Sequence, residues 1–143
     1  MSSTCIFCRI AAREIPAEIV FEDEHAIAFL DIDPLFPGHT LLVPKGHSQT
    51  LMDLPAAQIA PLFQIAQWLT RAVEIAMQAE GSFLGINNRI SQSVPHLHIH
   101  IVPRRKKDGL RGFFWPRRKY ASDTHLAETG AAIRAKLLEL TGQ

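Results

Sequence analysis

HLHIHIV, residues 96–102, places three of the chain's seven histidines at alternate positions, with branched apolar residues between them. Strict alternation predicts a β-strand, because successive side chains of a strand point to opposite faces of the sheet. The histidines would then share one face, and Leu97, Ile99 and Ile101 would share the other. We therefore expect a strand whose apolar face contacts a hydrophobic core and whose histidine face carries chemistry.

The three histidines of this strand cannot all bind one metal ion. At a rise of about 3.3 Å per residue, His96 and His100 lie roughly 13 Å apart, whereas metal–ligand bonds are about 2 Å long. A neutral imidazole is a competent nucleophile at phosphorus, and its neighbours can donate hydrogen bonds or a proton. The row of histidines therefore favours phosphate chemistry through a covalent phosphohistidine intermediate.

The rest of the chain predicts an α+β fold. Apolar runs bounded by turn residues predict strands at 18–22, 26–30, 39–43, 82–87 and 96–102. Helical signals predict a short helix at 5–13, a long amphipathic helix at about 55–79 and a last helix from Ser122 or Asp123 to about Leu140. We expect a mainly antiparallel five-stranded sheet with the long helix packed on one face.

The composition is that of an ordinary soluble globular domain, with 47% apolar residues, 20% charged residues and a net charge of +1. The N-terminal residues MSSTCIFC lack the basic head and apolar run of a secretory signal. The longest uncharged stretch, 54–70, contains two prolines and three glutamines and is too short and too polar to span a bilayer. The sequence therefore predicts a cytoplasmic protein without a membrane partner.

Five segments of the chain resemble the histidine triad (HIT) family, whose motif is His-φ-His-φ-His-φ-φ with φ apolar. They occur in the family's order: CIFCRI (5–10), EIPAEIVFED (14–23), AFLDIDP (28–34), PGHTLLVPKGH (37–47) and QSVPHLHIHIVPR (92–104). The resemblance implies a HIT-like domain over residues 1–121, with residues 122–143 as a C-terminal helix of the same domain. It also implies a homodimeric nucleotide hydrolase or transferase that cleaves at the α-phosphate of nucleotide conjugates.

The same resemblance implies catalytic roles for the triad. His98 would be the nucleophile that takes the nucleotidyl group, and His100 would hydrogen-bond the α-phosphate or the departing group. His96 would orient the site from its far end. Gln92 and Ser93 match a pair that meets the α-phosphate, where preorganised donors stabilise the developing charge.

A nucleoside pocket is also implied by the resemblance. Asp31 matches the acidic residue that accepts hydrogen bonds from the ribose hydroxyls, as a carboxylate can. The apolar positions that match those sandwiching the base are Phe7, Ile10, Phe29 and Ile32.

The loop before the triad departs from the family pattern. Common members have a glycine-rich loop, Asn-Asn-Gly-x-x-x-Gly-Gln, whereas this chain has NNRISQ at 87–92. The loop is about two residues shorter and lacks both glycines, which elsewhere let the backbone approach a phosphate closely. We expect Asn88 to bind nucleotide, and we expect this loop to set the space for the leaving group.

Cys5 and Cys8 are the only cysteines of the chain. In a reducing compartment, a spacing of two residues favours metal or redox chemistry over a structural disulfide. The resemblance joins them to His47 and His96 as the four ligands of a structural zinc ion. The alternative is two thiols that pack as small hydrophobic side chains. No carboxylate cluster suited to magnesium is visible, so we expect no catalytic metal.

The segment RRKKDGLRGFFWPRRKY, residues 104–120, contains eight of the fifteen Lys and Arg residues, interleaved with aromatic residues. It suits a loop that grips a polyphosphate chain or a second base, a nucleic-acid contact, or a solvated loop whose aromatic residues pack on a dimer partner. The first interpretation favours dinucleoside polyphosphates slightly over phosphoramidates. A nucleic-acid partner is possible but not favoured.

Together these features predict a hydrolase that acts on a purine nucleotide conjugate. The substrate would be a dinucleoside polyphosphate or a nucleoside phosphoramidate, and the enzyme would release a nucleoside monophosphate through a nucleotidyl-His98 intermediate. The alternative is a dimeric nucleotide-binding or nucleic-acid-associated module with little catalysis.

Overall fold

A computed structural model of the protein describes residues 4–111 and 116–142. The chain divides into two compact units, residues 1–108 and residues 109–143. The elements of the first unit are α1 (Ile6–Ala11), β1 (Ile19–Glu22), β2 (Ala26–Leu30), β3 (Thr40–Pro44), a 3-10 turn (Leu51–Asp53), α2 (Ala56–Ala76), β4 (Gly81–Gly85) and β5 (Ile99–Arg104). The second unit contains α3 (Asp123–Thr141).

The first unit is built on one five-stranded sheet with the strand order β1-β2-β3-β5-β4. Every pair of neighbouring strands is antiparallel, which confirms the predicted α+β architecture. The last strand, β5, lies between β3 and β4, so it has neighbours along both edges. The histidine stretch therefore leads into the interior of the sheet and not to its edge.

Both faces of the sheet are covered. On one face, Leu97, Ile99 and Ile101 pack against an apolar stripe of α2 whose residues recur with helical spacing: Leu62, Ile65, Ala66, Leu69 and Val73. On the other face, residues of α1 join a second cluster: Phe7, Ile10, Ile27, Phe29, Leu41 and Val43. Burial on both faces explains why β2 and β3 are almost continuously apolar and do not alternate.

The predicted strand at 96–102 begins later in the structure, at Ile99. In the register that pairs β3 with β5, Leu97 would face Pro44, which has no N–H group to continue the ladder. The N–H of Leu97 instead donates to the carbonyl of Ser48 at 2.6 Å. The faces still alternate as expected, because Leu97 lies in the core beside α2 and the histidines lie on the opposite side.

The second unit begins its helix as the sequence indicated. The hydroxyl oxygen of Ser122 accepts a hydrogen bond from the N–H of His125 at 3.1 Å and caps α3. Gly142 ends the helix in the left-handed conformation, with φ of +77°. That this helix belongs to the same domain as the sheet stays a prediction. Among the described residues, no helix combines the length and apolar character that crossing a bilayer demands.

Candidate active site

A row of rings crosses the face of the sheet that α1 covers. Neighbouring ring centroids lie 4.8–5.9 Å apart in the order His47, His96, Phe7, His98, His100 and His39. The phenyl ring of Phe7 stands between His96 and His98, with its centroid 5.9 Å from the first and 5.0 Å from the second. The triad is therefore divided: His96 faces one group of side chains, and His98 and His100 face another.

His96 faces the two cysteines. Its Nδ1 lies 3.4 Å from the sulfur of Cys5 and 3.5 Å from that of Cys8, whose sulfur is also 3.3 Å from Nδ1 of His47. A tetrahedral ion with bonds of about 2.3 Å to sulfur and 2.0–2.1 Å to nitrogen would separate these atoms by roughly 3.5 Å. The three sulfur–nitrogen distances match this separation, and all four ligand atoms lie within 4.8 Å of one another, so the predicted set is close enough together to hold a four-coordinate metal.

The protonation of His96 also suits a metal ligand. Its Nε2 lies 2.7 Å from the carbonyl oxygen of Pro44, which can only accept, so Nε2 carries the proton. Burial lowers the pKa of His96 to about 4 and keeps the ring neutral near pH 7. The lone pair is then on Nδ1, facing both sulfurs. A ligating imidazole whose other N–H is held by a carbonyl is the usual arrangement in protein metal sites.

On the other side of Phe7 lies a cavity of about 270 Å³. It brings together predicted apolar base-binding residues and predicted polar residues: Phe7, Ile10, Phe29, Ile32, Asp31, Ser93, His98 and His100. Ile32 stands at its rim, with 97% of its surface exposed. A concave, mostly apolar site with a few convergent polar groups is typical of small-molecule binding sites.

His98 presents a lone pair within this cavity. Its Nδ1 lies 2.7 Å from the carbonyl oxygen of His96, so Nδ1 carries the proton and donates it. In the neutral ring, Nε2 is then unprotonated, as a nucleophile requires. The backbone of His96 thus orients the ring of His98, while the side chain of His96 faces the cysteines.

A fourth histidine, His39, determines the protonation of His100. The N–H of Leu35 donates to Nδ1 of His39 at 3.1 Å, so the proton of the neutral His39 ring is on Nε2. That atom lies 3.0 Å from Nδ1 of His100 and donates to it. The proton of His100 is therefore on its own Nε2, which is buried and, within the described residues, has no hydrogen-bond partner.

Burial keeps both members of this pair neutral. It lowers the pKa of His39 and lowers that of His100 to about 4, in each case mainly by removing the ring from water. The hydrogen-bond direction from Leu35 through His39 to His100 therefore persists at neutral pH. Its result is an N–H group on His100, whose ring centroid lies 4.8 Å from that of His98.

The chain matches a known protein family over most of its length. A HIT-domain family model matches residues 12–107. The chain belongs to the HIT family. A curated relative, adenosine 5'-monophosphoramidase HNT1 of Saccharomyces cerevisiae, is 34% identical over 144 residues, which are 99% of this chain and 86% of that protein.

Solved HIT-family structures share the fold. A member from Bacillus subtilis has a TM-score of 0.82 and 33% identity, covering 93% of this chain and 96% of its own. A Zn-bound histidine triad family protein from Mycobacterium smegmatis has a TM-score of 0.71 and 35% identity, covering 90% of this chain and 97% of its own. The HIT fold predicted from the sequence segments is confirmed.

Two predicted nucleotide-binding residues lie outside the lining of the cavity. The amide oxygen of Asn88 accepts from the N–H of Leu51 at 3.0 Å. Gln92 accepts from the N–H of Arg89 at 2.8 Å and donates to the carbonyl of Gln49 at 2.6 Å. Both side chains brace the short loop at 87–92, and their contact with a nucleotide stays a prediction.

The short loop at 87–92 contains two residues with a left-handed backbone. Arg89 and Ser91 adopt positive φ angles of 71° and 60°, a region that side chains with a Cβ disfavour. Two residues with a Cβ thus hold strained conformations in this loop, and the side chain of Gln92 accepts a hydrogen bond from the N–H of one of them, Arg89.

Asp31 stands at the junction of the cavity and the histidine pair. Its Oδ1 accepts from the N–H of Asp33 at 2.9 Å, which is a local turn contact. Its Oδ2 lies 3.8 Å from Nε2 of His39. One oxygen therefore shapes the loop, and the other faces the histidines.

His39 was not among the residues selected from the sequence. Its segment, PGHTLLVPKGH, was noted for the family resemblance, but the histidine was assigned to the start of a strand. The strand begins at Thr40, and His39 is 96% buried. Its burial and the pairing of β3 with β5 bring it beside His100, and neither can be read from the sequence alone.

The first part of the basic segment, residues 104–108, belongs to the first unit and is fixed by polar contacts within it. Arg104 pairs with Asp108 at 2.6 Å, Arg105 donates to the carbonyl of Met77, and the N–H of Lys106 donates to Glu80 at 2.9 Å. The aromatic residues at 113–115 lie outside the described residues, and the interpretations that depend on them stay predictions.

Proposed function

We propose that this HIT protein is a nucleotide hydrolase that uses His98 to attack the α-phosphorus of a purine nucleoside phosphoramidate. The observation that carries the proposal is the pairing of a lone pair on His98 with an N–H donor on His100 in one cavity. A nucleophile and a charge-stabilising donor side by side are what nucleotidyl transfer to histidine requires.

In the first step, Nε2 of His98 forms a bond to phosphorus and the bond from phosphorus to the leaving group breaks. The substituted ring becomes cationic, and its Nδ1–H group keeps its hydrogen bond to the carbonyl of His96. Since His100 is neutral at pH 7, its N–H group acts as a hydrogen-bond donor to the phosphoryl oxygens, and a leaving amine takes its proton from water. Water then opens the nucleotidyl-His98 intermediate and releases the nucleoside monophosphate.

The cavity supports a nucleoside as the recognised part of the substrate. The edge-to-face pair of Phe7 and Phe29, with centroids 5.3 Å apart, forms part of an apolar wall suited to a base. Asp31 also lines the cavity, with one carboxylate oxygen outside its turn contact. That oxygen suits a ribose hydroxyl.

The relative whose alignment spans 99% of the chain is an adenosine 5'-monophosphoramidase, and this favours an amine as the leaving group. Dinucleoside polyphosphates are the second candidate. The basic composition of residues 104–120, which contain eight Lys and Arg residues, favours them, because a polyphosphate chain carries the complementary charge.

We also propose that Cys5, Cys8, His47 and His96 hold a structural zinc ion. Their spacings and the lone pair on His96 support it, as does the Zn-bound relative. When bound, the ion would complete a closed, four-coordinate site and supply no reaction chemistry. Its role would be to hold α1 in place against the sheet.

A homodimer remains part of the proposal. Phe63, Trp68 and Ile75 of α2 expose 40–67% of their surface, and Leu84 of the edge strand β4 exposes 39%. An edge strand beside exposed aromatic and branched residues is suited to covering by a second copy. Sedimentation equilibrium would test it, with a monomeric mass at micromolar concentration as the contrary result.

The deciding experiment is a single-turnover assay of the wild type and His98→Ala with an adenosine phosphoramidate and with diadenosine tetraphosphate. We expect AMP release by the wild type, loss of at least about 10³-fold in the variant, and faster turnover of the phosphoramidate. The matched control is His25→Ala, since His25 is an exposed histidine outside the cavity. A wild type that binds AMP but turns over neither compound would instead indicate a nucleotide-binding module.

A further inference from the structure

Helix α1 contributes to both groups of side chains that Phe7 separates. Cys5 caps the helix and, with Cys8 three residues later, faces His96 and His47. Phe7 and Ile10, also three residues apart, point to the sheet and line the cavity. One short helix therefore carries two cluster thiols on one side and part of the nucleotide wall on the other.

The position of α1 depends on these contacts. A helix of six residues is far below the length at which an isolated helix is stable in water. On its apolar side, Phe7 meets Phe29 and the ring of His98. On its other side, the thiols of Cys5 and Cys8 lie 3.3–3.5 Å from the two histidines of the cluster. A bound ion would join these side chains through metal–ligand bonds.

The wall of the cavity continues past the helix. Ile15, Pro16 and Ala17 line the same cavity as Phe7 and Ile10. They follow α1 in the chain. The N–H groups of Glu14 and Ile15 donate hydrogen bonds to the carbonyl of Arg9, in α1, at 2.8 and 3.4 Å. A displacement of α1 would therefore move most of the apolar wall and remove the ring that packs on His98.

We propose that metal binding at Cys5, Cys8, His47 and His96 and nucleotide binding in the cavity are thermodynamically coupled through α1, with Phe7 as the connecting residue. Each ligand stabilises the docked helix, so each raises the affinity for the other. The coupling rests on the proposed function, because it requires that the cavity bind a nucleotide. It needs no contact between the ion and the nucleotide.

Coupling of this kind has a defined size and symmetry. A ligand shifts an equilibrium only by its differential affinity for the two states, here the docked and undocked forms of α1. Reciprocity then requires the ion to change AMP affinity by the same factor by which AMP changes ion affinity. We expect at least about a fivefold effect in each direction, the lower end of common allosteric couplings.

The test measures AMP binding by isothermal titration calorimetry to zinc-loaded and chelator-stripped protein. We expect the stripped protein to bind AMP at least about fivefold more weakly, and saturating AMP to raise zinc affinity by the same factor in a chelator competition. Equal AMP affinity in the two forms overturns the coupling and leaves the proposed function intact. A loaded protein that does not bind AMP overturns both.

Variants separate the ion from the cavity. His47 is a cluster residue that does not line the cavity, so His47→Ala should weaken AMP binding to the level of the stripped wild type. His25→Ala, the matched control, should leave AMP and zinc binding unchanged. Phe7→Leu should retain zinc while the coupling factor falls toward one. An unchanged coupling factor in Phe7→Leu would remove Phe7 as the connecting residue.

Hydrogen exchange distinguishes local undocking from unfolding. The amides of Arg9 and Ala12 donate within α1, to Cys5 and Cys8 at 3.1 and 3.0 Å. On stripping, their exchange should accelerate, and AMP should slow it, while the amides of β3 and β5 stay protected. Loss of protection across β3 and β5 would contradict the proposal, since the effect would then be global.

Discussion

Two groups of side chains in this protein have similar ligand chemistry and different protonation. Cys5, Cys8, His47 and His96 form one, and Asp31, His39 and His100 form the other; in each, the potential ligand atoms lie within 4.8 Å of one another. Proximity and residue type alone would make both of them metal sites. The backbone groups beside the histidines separate them.

At the cysteine cluster, a carbonyl is the deciding neighbour. The carbonyl oxygen of Pro44 accepts a hydrogen bond from Nε2–H of His96, so the lone pair of the ring is on Nδ1 and faces the sulfurs. At the second group, a backbone N–H is the neighbour. The N–H of Leu35 donates to Nδ1 of His39, so the proton of His39 is on Nε2, between the two rings. The proton of His100 is on its own Nε2, on the side away from His39. A proton lies between the two nitrogens where an ion would need lone pairs. The first group therefore suits a metal, and the second suits a hydrogen-bond relay.

The largest effect that would sharpen this contrast is the loss of metal from the first group. Zinc sites of four ligands are worth about 10–16 kcal/mol in all, or about 2.5–4 kcal/mol per ligand, so Cys8→Ala should reduce zinc affinity by roughly 10²- to 10³-fold. Competition with a chromophoric chelator measures it. The matched change in the second group, His39→Ala, should leave zinc affinity unaltered. Equal zinc loss in both variants would show that the two groups are one site.

The next effect is on the reaction. His39→Ala removes the donor that sets the proton of His100, and losing one oriented donor costs about 10²-fold in kcat at comparable sites. We expect kcat for the phosphoramidate to fall by that factor while KM and AMP affinity change little. Steady-state kinetics separate the two parameters. A rise in KM at constant kcat would make His39 a binding residue instead of a positioning residue.

The smallest effect is on stability. In the folded protein the pKa of His100 is lowered from 6.5 to about 4, so between these values the unfolded chain binds a proton that the folded chain does not. The free energy of unfolding should therefore fall as the pH drops from 7 to 5, by about 2 kcal/mol for this residue. Urea unfolding of wild type and His100→Gln at pH 7 and pH 5 measures it. If both proteins lose the same stability, His100 is not the titrating group.

The sequence predicted which residues of HLHIHIV share a face, but not where its strand begins. Alternation is a local property, so HLHIHIV revealed which residues share a face, and Leu97, Ile99 and Ile101 do lie in the core. The start of the strand at Ile99 could not be read from the stretch itself. It depends on Pro44, a residue of the neighbouring strand that offers no N–H group.

His39 illustrates the opposite case. It lies 61 positions before His100 in the chain and has no periodic pattern around it. Only the antiparallel pairing of β3 with β5 sets Leu41 opposite His100 and brings His39 beside it. The division of the triad by Phe7 is equally invisible in sequence, because Phe7 belongs to a helix some 90 positions earlier.

By itself the sequence determined the α+β class, the faces of the histidine stretch and the membership of a family, because periodicity and motif order are properties of neighbouring residues. Only the tertiary structure decided which imidazole nitrogen carries a proton, which histidines face the cysteines and which face the cavity. The physical reason is that a proton on a neutral ring goes to the nitrogen that faces an acceptor. Those acceptors are backbone groups of Pro44 and His96 and the ring of His100, and folding alone brings each donor to its acceptor.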